Sequence, residues 1–590
     1  MPRLTIDNVP IEVPEGTTIL NAARQAGVKI PTLCYLENVQ AIGACRVCLV
    51  EVEGAKTLVA SCVMPVADNM KVFTNTRRVR EARRMVVELL LSDHDGDCQT
   101  CLRNDDCEFQ SLARELGIRD IEFPGEKSRK ITDSSTPALD RDSSKCVLCR
   151  RCVTVCGQVQ GVFAMFPQNR GFETVIGPAF CNGLDTVACV QCGQGAAVCP
   201  VGAINERDQI AEVWAALDDP TRHVVVQTAP AIRAALGECF GFPPGTLVTD
   251  RMVSALRRLG FDAVFDTNFT ADLTIMEEGT ELLTRLKKAL VDKQPVALPM
   301  FTSCSPGWIK FAEYFYPEIL PNISTCKSPQ QMFGAVAKTY YAAKLGKRPE
   351  DIFVVSVMPC TAKKFEAQRP EMTGSGVRDV DVVLTTRELG RMIRQAGIDF
   401  PALPDDKMDA PLGLSSGAAD IFANTGGVME AALRTAYEII TGRPLPFDNL
   451  HVKPIEGLEG VKEASLAVTG TLPDWSFLEG ATLNVAVAHG LGNARKVVER
   501  VKSGQASYHF IEIMTCPGGC IGGGGQPRLT TDAVRKARIQ AIYREDEGKK
   551  LRKSHENPEV AQIYEEFLGK PLGEKSHHLL HTHYHVRARV

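Results

Sequence analysis

Two cysteines four positions apart, Cys516 and Cys520, lie in a stretch that carries six glycines between positions 518 and 525. Glycine loses more backbone entropy on folding than any other residue, so such a run indicates that the backbone must approach something closely. Because thiolates are soft ligands that suit iron, we expect that partner to be an iron–sulfur cofactor. A flexible surface loop with two chance thiols is the alternative interpretation.

The bulk composition is typical of a protein with several globular domains. The chain has 590 residues, of which 44% are hydrophobic and 23% charged, and its formal net charge is −4 without a long run of one sign. This charge pattern argues against nucleic-acid binding. No apolar stretch is long enough to span a membrane, and the first residues lack the features of a secretory signal, so we expect a cytoplasmic protein.

The cysteines are expected to bind metal, because disulfides are rare in a reducing compartment. There are 21, fifteen of them before residue 200, and the first four have the spacing C-x10-C-x2-C-x13-C. This spacing resembles a [2Fe–2S] ferredoxin set, with a structural zinc site as the alternative. Short strands near 4–6 and 11–13 and a helix at 18–25 favour a β-grasp ferredoxin domain over residues 1–79. The predicted ligands are Cys34, Cys45, Cys48 and Cys62.

Residues 80–120 carry a second ligand set. The spacing H-x3-C-x2-C-x5-C combines one imidazole with three thiolates, which suits either a [4Fe–4S] cluster or zinc on chemistry alone. A single helix is expected over 80–115, with an apolar face of Val86, Val87, Leu89, Leu90 and Leu91. The predicted ligands are His94, Cys98, Cys101 and Cys107.

A third group of cysteines, within residues 138–215, follows a polar linker predicted over 116–145. It has the spacing of a bacterial ferredoxin with two [4Fe–4S] clusters, in which the last cysteine of each run serves the other cluster. By that rule one cluster is held by Cys146, Cys149, Cys152 and Cys199. The other keeps Cys156, Cys189 and Cys192, because Gly195 stands where a further cysteine is expected. A [3Fe–4S] cluster, recruitment of Cys181, or a hydroxide at the open corner are the three outcomes.

Residues 222–530 alternate short buried strands with helical segments, which is typical of an α/β domain. Strands are expected near 223–227, 296–300, 352–357, 380–384 and 483–488. A helix is expected to start at 232–236. Three loops that follow strands carry unusual residues, namely Cys304-Ser305, Met358 to Lys363, and the glycine-rich stretch. Ligands of α/β folds bind beyond the carboxyl ends of strands, so we expect one shared site, although each thiol alone would suit a buried structural role.

The remaining residues are polar and helical, with helices expected at 533–544 and 558–568. Residues 575–585 hold five histidines. Metal binding is one interpretation of these histidines. Because no acidic residue or cysteine lies among them, we favour an extended segment that packs on the α/β domain.

The three loops resemble the signature motifs of [FeFe]-hydrogenases. The order of the N-terminal cysteine sets resembles that of multi-subunit, NAD(P)-linked or electron-bifurcating catalytic subunits, and it favours a [4Fe–4S] cluster for the His94 set. The resemblance covers nearly the whole chain and implies a multidomain α+β and α/β fold. Its parts are a β-grasp [2Fe–2S] ferredoxin, a His/Cys3 cluster domain, a bacterial-type 2[4Fe–4S] ferredoxin, a two-lobed α/β H-cluster domain at 222–530, and a helical, small-subunit-like extension at 531–590.

The active site that the resemblance implies is the H-cluster, a [4Fe–4S] cubane bridged through a cysteine thiolate to a di-iron unit with CO, CN⁻ and an azadithiolate. It assigns Cys360, Cys516 and Cys520 to the cubane, with Cys520 as the bridge. Around the cofactor it places Met358, Lys363, Met514, Ala229, Pro230 and Gln330. The family usually has two adjacent cysteines where this chain has Cys304 and Ser305, so the fourth cubane ligand stays open between Ser305, Cys304 and Cys326.

The resemblance also implies a proton relay from the cofactor to solvent through Cys304, Glu278, Ser324 and Glu281. Glu278 and Glu281 are three positions apart and share one face if their segment is helical. Each pair in a relay has to lie within hydrogen-bonding reach, directly or through one water. An exposed helix face is the alternative interpretation of the two glutamates.

The implied function is that of an enzyme that interconverts H2 with protons and electrons. Electrons would pass through the iron–sulfur clusters to a flavin-containing NAD(P)-reducing subunit, with small [2Fe–2S] subunits, or to ferredoxin. The chain has no GxGxxG fingerprint that opens a βαβ unit, so we expect it to bind no pyridine nucleotide itself. The competing hypotheses are an H2 sensor with the same fold, against which the retained Cys304 argues, and a non-enzymatic electron-relay or iron–sulfur assembly subunit, against which the retained Cys360 and Lys363 argue.

Overall fold

The N-terminal part of the computed structural model is a five-stranded mixed sheet with one short helix. Its elements are β1 (Arg3–Ile6), β2 (Val9–Glu12), α1 (Ile19–Gln25), β3 (Leu49–Val52), β4 (Val59–Ala60) and β5 (Lys71–Phe73). The strand order is β2-β1-β5-β3-β4, with β1 parallel to β5 and the other neighbours antiparallel. The helix begins where predicted, because the Thr18 hydroxyl accepts the Asn21 N–H and caps the first turn.

The structure describes residues 1–123, 125–128 and 130–588. Two positions of the predicted linker and the last two residues of the predicted C-terminal extension lie outside the described residues.

Two helices, α2 (Arg77–Asp93) and α3 (Glu108–Glu115), stand where a single helix over 80–115 was predicted. The chain leaves α2 at His94, whose backbone is extended, and passes through turns before α3. The predicted apolar face is wrong at Leu89, which is 51% exposed, and its neighbour Glu88 is buried instead, paired with Arg84. The four predicted ligands, from His94 to Cys107, all lie in the segment between the two helices.

The residues around the third cysteine group form two small sheets and two short helices. They are β6 (Thr132–Asp133), β7 (Leu139–Asp142), α4 (Arg151–Thr154), β8 (Phe166–Gln168), β9 (Val175–Gly177), α5 (Gln194–Val198) and β10 (Ile204–Glu206). One sheet has the order β10-β7-β6, all antiparallel, and β8 pairs with β9. The predicted linker is therefore too long at its C-terminal end, since β6 and β7 already belong to the sheet that β10 completes.

Two four-stranded sheets form the α/β part of the chain. Their strands are β11 (His223–Thr228), β12 (Ala263–Asp266), β13 (Met300–Phe301), β14 (Ile352–Met358), β15 (Val382–Thr385), β16 (Val461–Ala467), β17 (Thr482–His489) and β18 (Phe510–Met514). The first sheet is parallel with the order β12-β11-β14-β15. The second has the order β13-β18-β17-β16, in which only the β17–β16 pair is antiparallel. Two lobes result. The three loops singled out in the sequence follow β13, β14 and β18, and Ala229 and Pro230 follow β11.

Helices connect and cover these strands. They are α6 (Ile210–Leu217), α7 (Thr249–Leu259), α8 (Thr267–Leu290), α9 (Pro306–Phe315), α10 (Pro329–Val336), α11 (Ala342–Lys344), α12 (Ala362–Ala367), α13 (Thr386–Gln395), α14 (Gly417–Asp420), α15 (Gly427–Thr441) and α16 (Leu491–Lys502). The helix predicted to start at 232–236 is wrong. Arg233 there is fully buried and pairs with Asp266 and Asp420, and the backbone around it follows successive turns. The strand predicted at 296–300 is also shorter, because only Met300 and Phe301 of β13 pair with β18.

The C-terminal residues add α17 (Asp532–Gly548), α18 (Pro558–Ile563), which continues as a π-helical turn over Tyr564–Leu568, and α19 (Glu574–Leu580). The two predicted helices are confirmed. The histidine-rich segment is helical in its first half rather than extended throughout, and its second half forms a bridge between His581 and Cys326. Among the described residues no helix combines the length and the apolar character needed to cross a membrane.

Candidate active site

The three loops meet at one buried cavity between the two sheets. The cavity encloses about 740 Å³ of space that no protein atom fills. The cysteines assigned to the cubane, the residues placed around the cofactor, and Cys304 and Ser305 all contribute to its wall. They are Ala229, Pro230, Cys304, Ser305, Gln330, Met358, Cys360, Lys363, Met514, Cys516 and Cys520. The expectation that strand-end loops converge is therefore confirmed.

Three thiols, those of Cys360, Cys516 and Cys520, share this cavity. Burial raises the pKa of each, to about 12 for Cys520, and the proximity of the neighbouring thiols adds to the effect for Cys516 and Cys520. The protein alone therefore disfavours three thiolates here. A cationic, soft metal group would supply the missing positive charge, so the donor set fits an iron–sulfur cubane.

Ser305 lies beside these thiols. Its Oγ is 2.7 Å from the Thr515 Oγ1 and accepts the Thr515 N–H at 3.2 Å. Cys326, the other candidate for a fourth ligand besides Cys304, is not part of the cavity wall, and its thiol lies 3.9 Å from the Glu281 carboxylate. Of the candidates for the fourth ligand, Ser305 and Cys304 line the cavity and Cys326 does not.

One cation and one unpartnered acceptor also line the cavity. Lys363 Nζ donates to the Cys304 carbonyl at 3.1 Å and to the Glu366 carboxylate at 2.9 Å. The Gln330 amide donates to the same carboxylate at 3.1 Å, whereas its Oε1 is buried without a hydrogen-bond partner. The cavity therefore presents an ammonium and a free amide oxygen, which suits a group with anionic and polar ligands.

The four residues predicted to form a relay lie in sequence from the cavity toward the surface. Glu278 lies close enough to Cys304 for its charge to raise the pKa of that thiol, which burial raises further. The Ser324 hydroxyl contacts Glu278 and donates to Glu281 Oε2 at 3.2 Å. Glu281 pairs with Arg285 at 2.6 Å, and both side chains are slightly exposed. Both glutamates lie on α8, as the spacing predicted.

Burial raises the pKa of Glu278 from its ordinary value near 4.5 to about 8, although the hydrogen bond from Ser324 opposes the shift. One carboxylate oxygen of Glu278 has no hydrogen-bond partner among the described residues. A carboxyl group that titrates near neutrality and keeps one oxygen free is matched to passing protons in either direction. The alternative of an exposed helix face is wrong, because Glu278 is fully buried.

Comparison of the sequence with known proteins identifies the family to which the chain belongs. The family model of the iron-only hydrogenase large subunit, C-terminal domain, matches residues 222–524. The NADP-reducing hydrogenase subunit HndD of Solidesulfovibrio fructosivorans is 52% identical over 100% of both chains. The chain belongs to the iron-only hydrogenase family.

Further comparisons extend to the rest of this hydrogenase. Iron hydrogenase 1 of Clostridium pasteurianum is 41% identical over 99% of this chain and 100% of its own. The solved structure of apo [FeFe]-hydrogenase HydA1 from Chlamydomonas reinhardtii is 46% identical, with a TM-score of 0.57, and the match covers 64% of this chain and 99% of that one. Three more family models match: iron hydrogenase small subunit (532–587), 2Fe-2S iron–sulfur cluster binding domain (2–77) and NADH-ubiquinone oxidoreductase-G iron–sulfur binding region (83–122). The hydrogenase thus has [2Fe–2S] and [4Fe–4S] binding domains beside its H-cluster domain.

The four cysteines of the first set lie together in the N-terminal domain of the hydrogenase. The thiol of Cys34 is in hydrogen-bonding range of Cys45 and Cys62, and that of Cys48 is in range of Cys62. These contacts lower the pKa of Cys34 and Cys48, so thiolates are favoured at two of the four positions. Four buried, mutually contacting thiols fit a [2Fe–2S] cluster.

The His94 set is gathered at the break between α2 and α3. Burial lowers the pKa of His94, and its Nδ1 is buried without a hydrogen-bond partner. The ring is therefore favoured in its neutral form, which is the form that binds metal. The charges of Cys98 and Cys107 each interact with Cys101. The types of these four residues, one imidazole with an unpartnered nitrogen and three thiols, suit a four-ligand cluster.

The third cysteine group surrounds two separate cavities. The first, of about 410 Å³, is lined by Cys146, Cys149, Cys152 and Cys199. The second, of about 500 Å³, is lined by Cys156, Cys189, Cys192 and Gly195. Cys181 lines neither, and its thiol lies 3.8 Å from Gln168 Oε1. A Cβ placed at Gly195 would lie no closer than 3.6 Å to its neighbours, so that corner of the second cavity is open.

The glycine run meets protein as well as the cavity, which corrects the expectation from sequence. Only Gly519 and Gly523 of the run line the cavity. A Cβ at Gly524 would lie 2.6 Å from the Cα of Gly193 in the ferredoxin-like part, and one at Gly525 would lie 2.8 Å from Thr385. The run therefore lets neighbouring loops close on one another around the cofactor site.

Several residues that shape the site were missed in the sequence. Thr515 holds Ser305, Glu366 holds both Lys363 and Gln330, and Arg285 holds Glu281. Two of these had a detectable signal, since Glu366 is three residues after Lys363 and Arg285 four after Glu281 on their helices. Thr515 had none, because its partner is remote in the chain.

Proposed function

We propose that this chain catalyses the reversible conversion of H2 into two protons and two electrons at an H-cluster held in the central cavity. The observation that carries the proposal is the convergence of three thiols, one lysine and the start of a hydrogen-bonded carboxyl chain on one buried space. When bound, the H-cluster supplies the open iron site and the bridgehead amine at which H2 is split. The residues of the chain hold that group, exclude water and carry protons away.

Cys360, Cys516 and Cys520 are proposed as cubane ligands, with Cys520 as the bridge to the di-iron unit. Ser305 is proposed to face the fourth corner of the cubane, because it lines the cavity whereas Cys326 does not. This arrangement leaves Cys304 free. An oxygen at the fourth corner is a harder ligand than a thiolate, so the cubane is held mainly by three cysteines.

Lys363, Met358, Met514, Ala229, Pro230 and Gln330 are proposed to surround the di-iron unit. The Lys363 ammonium is fixed by the Cys304 carbonyl and the Glu366 carboxylate, so it can face an anionic diatomic ligand without side-chain movement. The unpartnered Gln330 oxygen offers a hydrogen-bond acceptor at the same wall. The two methionines and Pro230 keep the remainder of the wall apolar.

Protons are proposed to pass through Cys304, Glu278, Ser324 and Glu281. Support comes from the Ser324 hydroxyl, which links the two carboxyl groups, and from the pKa of Glu278 near 8. Such a chain exists to move protons quickly, which a sensor can dispense with. The enzyme is therefore favoured over an H2 sensor or a passive electron relay.

Electrons are proposed to reach the cubane through the ferredoxin-like clusters. Cys192 lies near enough to Cys516 for their charges to interact, and the Gln194 amide donates to the Gly522 carbonyl at 2.9 Å. We propose that Cys146, Cys149, Cys152 and Cys199 hold a [4Fe–4S] cluster. The cluster next to the cubane keeps Cys156, Cys189 and Cys192, with its fourth corner open at Gly195.

Two entry branches are proposed to converge on the Cys146 cluster. Gln40 donates to the carbonyls of Cys34 at 2.7 Å and of Cys149 at 2.9 Å, which joins the [2Fe–2S] site to it. Arg103 donates to the Cys199 carbonyl at 2.7 Å and so joins the His94 site to the same cluster. Both N-terminal sites therefore adjoin one relay cluster.

The domain organisation is proposed as a β-grasp [2Fe–2S] domain (1–79), a His/Cys3 [4Fe–4S] domain (80–120), a two-cluster ferredoxin domain (138–215), the H-cluster domain (222–530) and a small-subunit-like extension (531–590). We propose that the chain works in the cytoplasm as one subunit of a complex with a flavin-containing NAD(P)-reducing subunit and small [2Fe–2S] subunits, or with ferredoxin. The likeness to an NADP-reducing hydrogenase subunit over its full length supports this assignment.

The experiment that tests the function is infrared spectroscopy of protein matured anaerobically with the di-iron unit, together with H2-dependent dye reduction. CO and CN⁻ stretching bands with dye reduction are expected. Absence of the bands would overturn the H-cluster assignment, whereas bands without dye reduction would favour the sensor.

A further inference from the structure

A second hydrogen-bonded branch meets the relay at Glu281, and it comes from the C-terminal segment. The Thr325 hydroxyl lies 3.0 Å from Glu281 Oε2, the oxygen that Ser324 also contacts. On its other side the same hydroxyl lies 2.8 Å from His581 Nδ1. The opposite ring nitrogen, Nε2, lies 3.1 Å from Glu277 Oε2. Glu281, Thr325, His581 and Glu277 thus form one continuous chain.

The C-terminal segment is fixed on the loop that carries the relay. Thr582 N–H donates to the Thr325 carbonyl at 2.7 Å, and the Tyr584 hydroxyl donates to the Ser324 carbonyl at 2.7 Å. His581 itself is buried. Its position beside Thr325 is therefore set by backbone and side-chain contacts on both sides, rather than by a loose surface tail.

Glu277 is built to remain an anion. The Tyr564 hydroxyl donates to it at 2.6 Å and the Leu572 N–H at 2.8 Å, and the Ser576 hydroxyl donates as well. Burial raises the pKa of Glu277, but these hydrogen bonds and that from His581 outweigh burial and hold the pKa below its ordinary value. A carboxylate that stays ionised stabilises a protonated imidazole next to it.

Each end of the branch has a charged partner. Arg285 lies 2.6 Å from Glu281 Oε1, and the Glu277 carboxylate lies 3.1 Å from His581 Nε2. The titratable and charged groups around His581 are Glu277 and Glu281 on α8, the Cys326 thiol, Tyr564, and the stacked ring of His577 at 4.7 Å, with Arg285 on the far side of Glu281.

We propose that His581 is a proton-holding side branch of the relay, which exchanges a proton with Glu281 through the Thr325 hydroxyl. In this step the O–H bond of the Glu281 carboxyl breaks and its proton binds Thr325 Oγ1, while the original Thr325 proton binds His581 Nδ1. No electron moves, and Glu277 balances the new charge. The emptied Glu281 can then accept the next proton from Ser324, and because His581 is buried its proton returns to Glu281 by the same route once Glu281 has passed that proton on. This inference rests on the proposed function, because a relay has a role only if protons leave the cavity.

The test compares variants of the matured holoenzyme by H2-dependent dye reduction across a pH series. Thr325→Val removes the linking hydroxyl, while Thr325→Ser retains it and is the matched control. His581→Gln removes the proton acceptor, and His577→Ala, which alters only the stacked neighbour, is its control. Thermal unfolding and the CO and CN⁻ bands are recorded for every variant, so that loss of fold or cofactor is recognised.

Thr325→Val and His581→Gln are expected to lower H2 oxidation about fivefold, as for the loss of one hydrogen bond in a rate-limiting path, whereas both controls keep wild-type rates. The pH profiles of Thr325→Val and His581→Gln should differ from that of wild type in the same way, because both variants remove the same proton-holding branch. Equal pH profiles for Thr325→Val and Thr325→Ser in an active wild-type background would overturn the branch. An inactive wild-type protein with intact bands would instead overturn the proposed function.

Discussion

Ser305 and Thr515 hold each other in the wall of the cavity, with their hydroxyl oxygens 2.7 Å apart. The Thr515 N–H adds a second hydrogen bond to the same serine oxygen. A neutral hydroxyl satisfied in this way gains little by becoming an alkoxide ligand. The cubane of this hydrogenase is therefore expected to be more weakly held than one with four thiolates.

Replacing Ser305 with cysteine should make the cubane harder to extract, because a soft thiolate then completes the ligand set. The measurement is the rate of iron loss to a chelator from the anaerobic protein, followed with the iron content. Ser305→Ala, which removes the hydroxyl without adding a thiol, should release iron at least as fast as wild type. Equal rates for all three proteins would show that position 305 does not face the cubane.

Cys304→Ala should retain the CO and CN⁻ bands but lower turnover by about 100-fold or more, the usual contribution of a positioned proton carrier. The thiol is proposed to pass protons rather than bind iron, so cofactor content should not change. Dye reduction and infrared spectra on the same sample measure both quantities. Loss of the bands would assign Cys304 to ligation and would be contrary to the relay.

Glu278→Gln should separate activity from stability. The pKa of Glu278 is raised from about 4.5 to about 8 in the folded protein. Between these two pH values the folded protein keeps the Glu278 proton, whereas the unfolded chain releases it. Stability of the wild type should therefore fall as the pH rises from about 4.5 to about 8. The amide variant avoids this loss, so above pH 8 it should unfold at a higher temperature than wild type while H2 turnover is nearly abolished.

In the wild type, the protonated, donating form of Glu278 disappears above its pKa of about 8, so H2 evolution should decline with rising pH there. Glu278→Asp, which keeps a carboxyl, should retain part of the turnover and serves as the control. A glutamine variant that is as active as wild type would remove Glu278 from the relay.

Gly195→Cys should raise the iron content by about one atom per chain and abolish any [3Fe–4S] signal in the electron paramagnetic resonance spectrum of the oxidised protein. Room exists for the side chain, since the nearest neighbours of a Cβ there are Cys152 at 3.6 Å and Ile204 at 3.8 Å. Gly195→Ala fills the same space without a thiolate and should leave both measurements unchanged. A wild-type protein that already has full iron content and lacks this signal would contradict a [3Fe–4S] cluster at this corner.

Arg233→Met should destabilise the protein by about 3–5 kcal/mol, because it removes the buried cation shared by Asp266 and Asp420 and leaves Asp420 with Lys549 alone. The control is Arg257→Met. Its partners, Asp406 and Asp409, are about one-third exposed, and exposed pairs contribute about 1 kcal/mol or less. Denaturant unfolding of both variants measures the difference, and equal losses would show that burial does not decide the cost.

Sequence reasoning identified the site because its chemistry is concentrated in local motifs. Cys360 and Cys516 stand in loops directly after buried strands, with Lys363 in the first turn of the helix that follows Cys360, and parallel strands bring such loops to one edge. The helix predicted at 232–236 failed, since the buried ion pairs of Arg233 are long-range contacts that no local pattern records. The branch through His581 was equally hidden, because it joins residues that are more than 250 positions apart.

On the proposed electron path, the contact between Gly193 and Gly524 sets the distance between the last two clusters. A Cβ at position 524 would lie 2.6 Å from the Cα of Gly193, so a single methyl group would force the ferredoxin-like part and the cubane loop apart. Electron tunnelling weakens exponentially with separation. Because neither glycine has a Cβ, the two segments approach as closely as backbone contact allows. A Gly524→Ala protein would keep every proposed ligand but should transfer electrons more slowly in the last step.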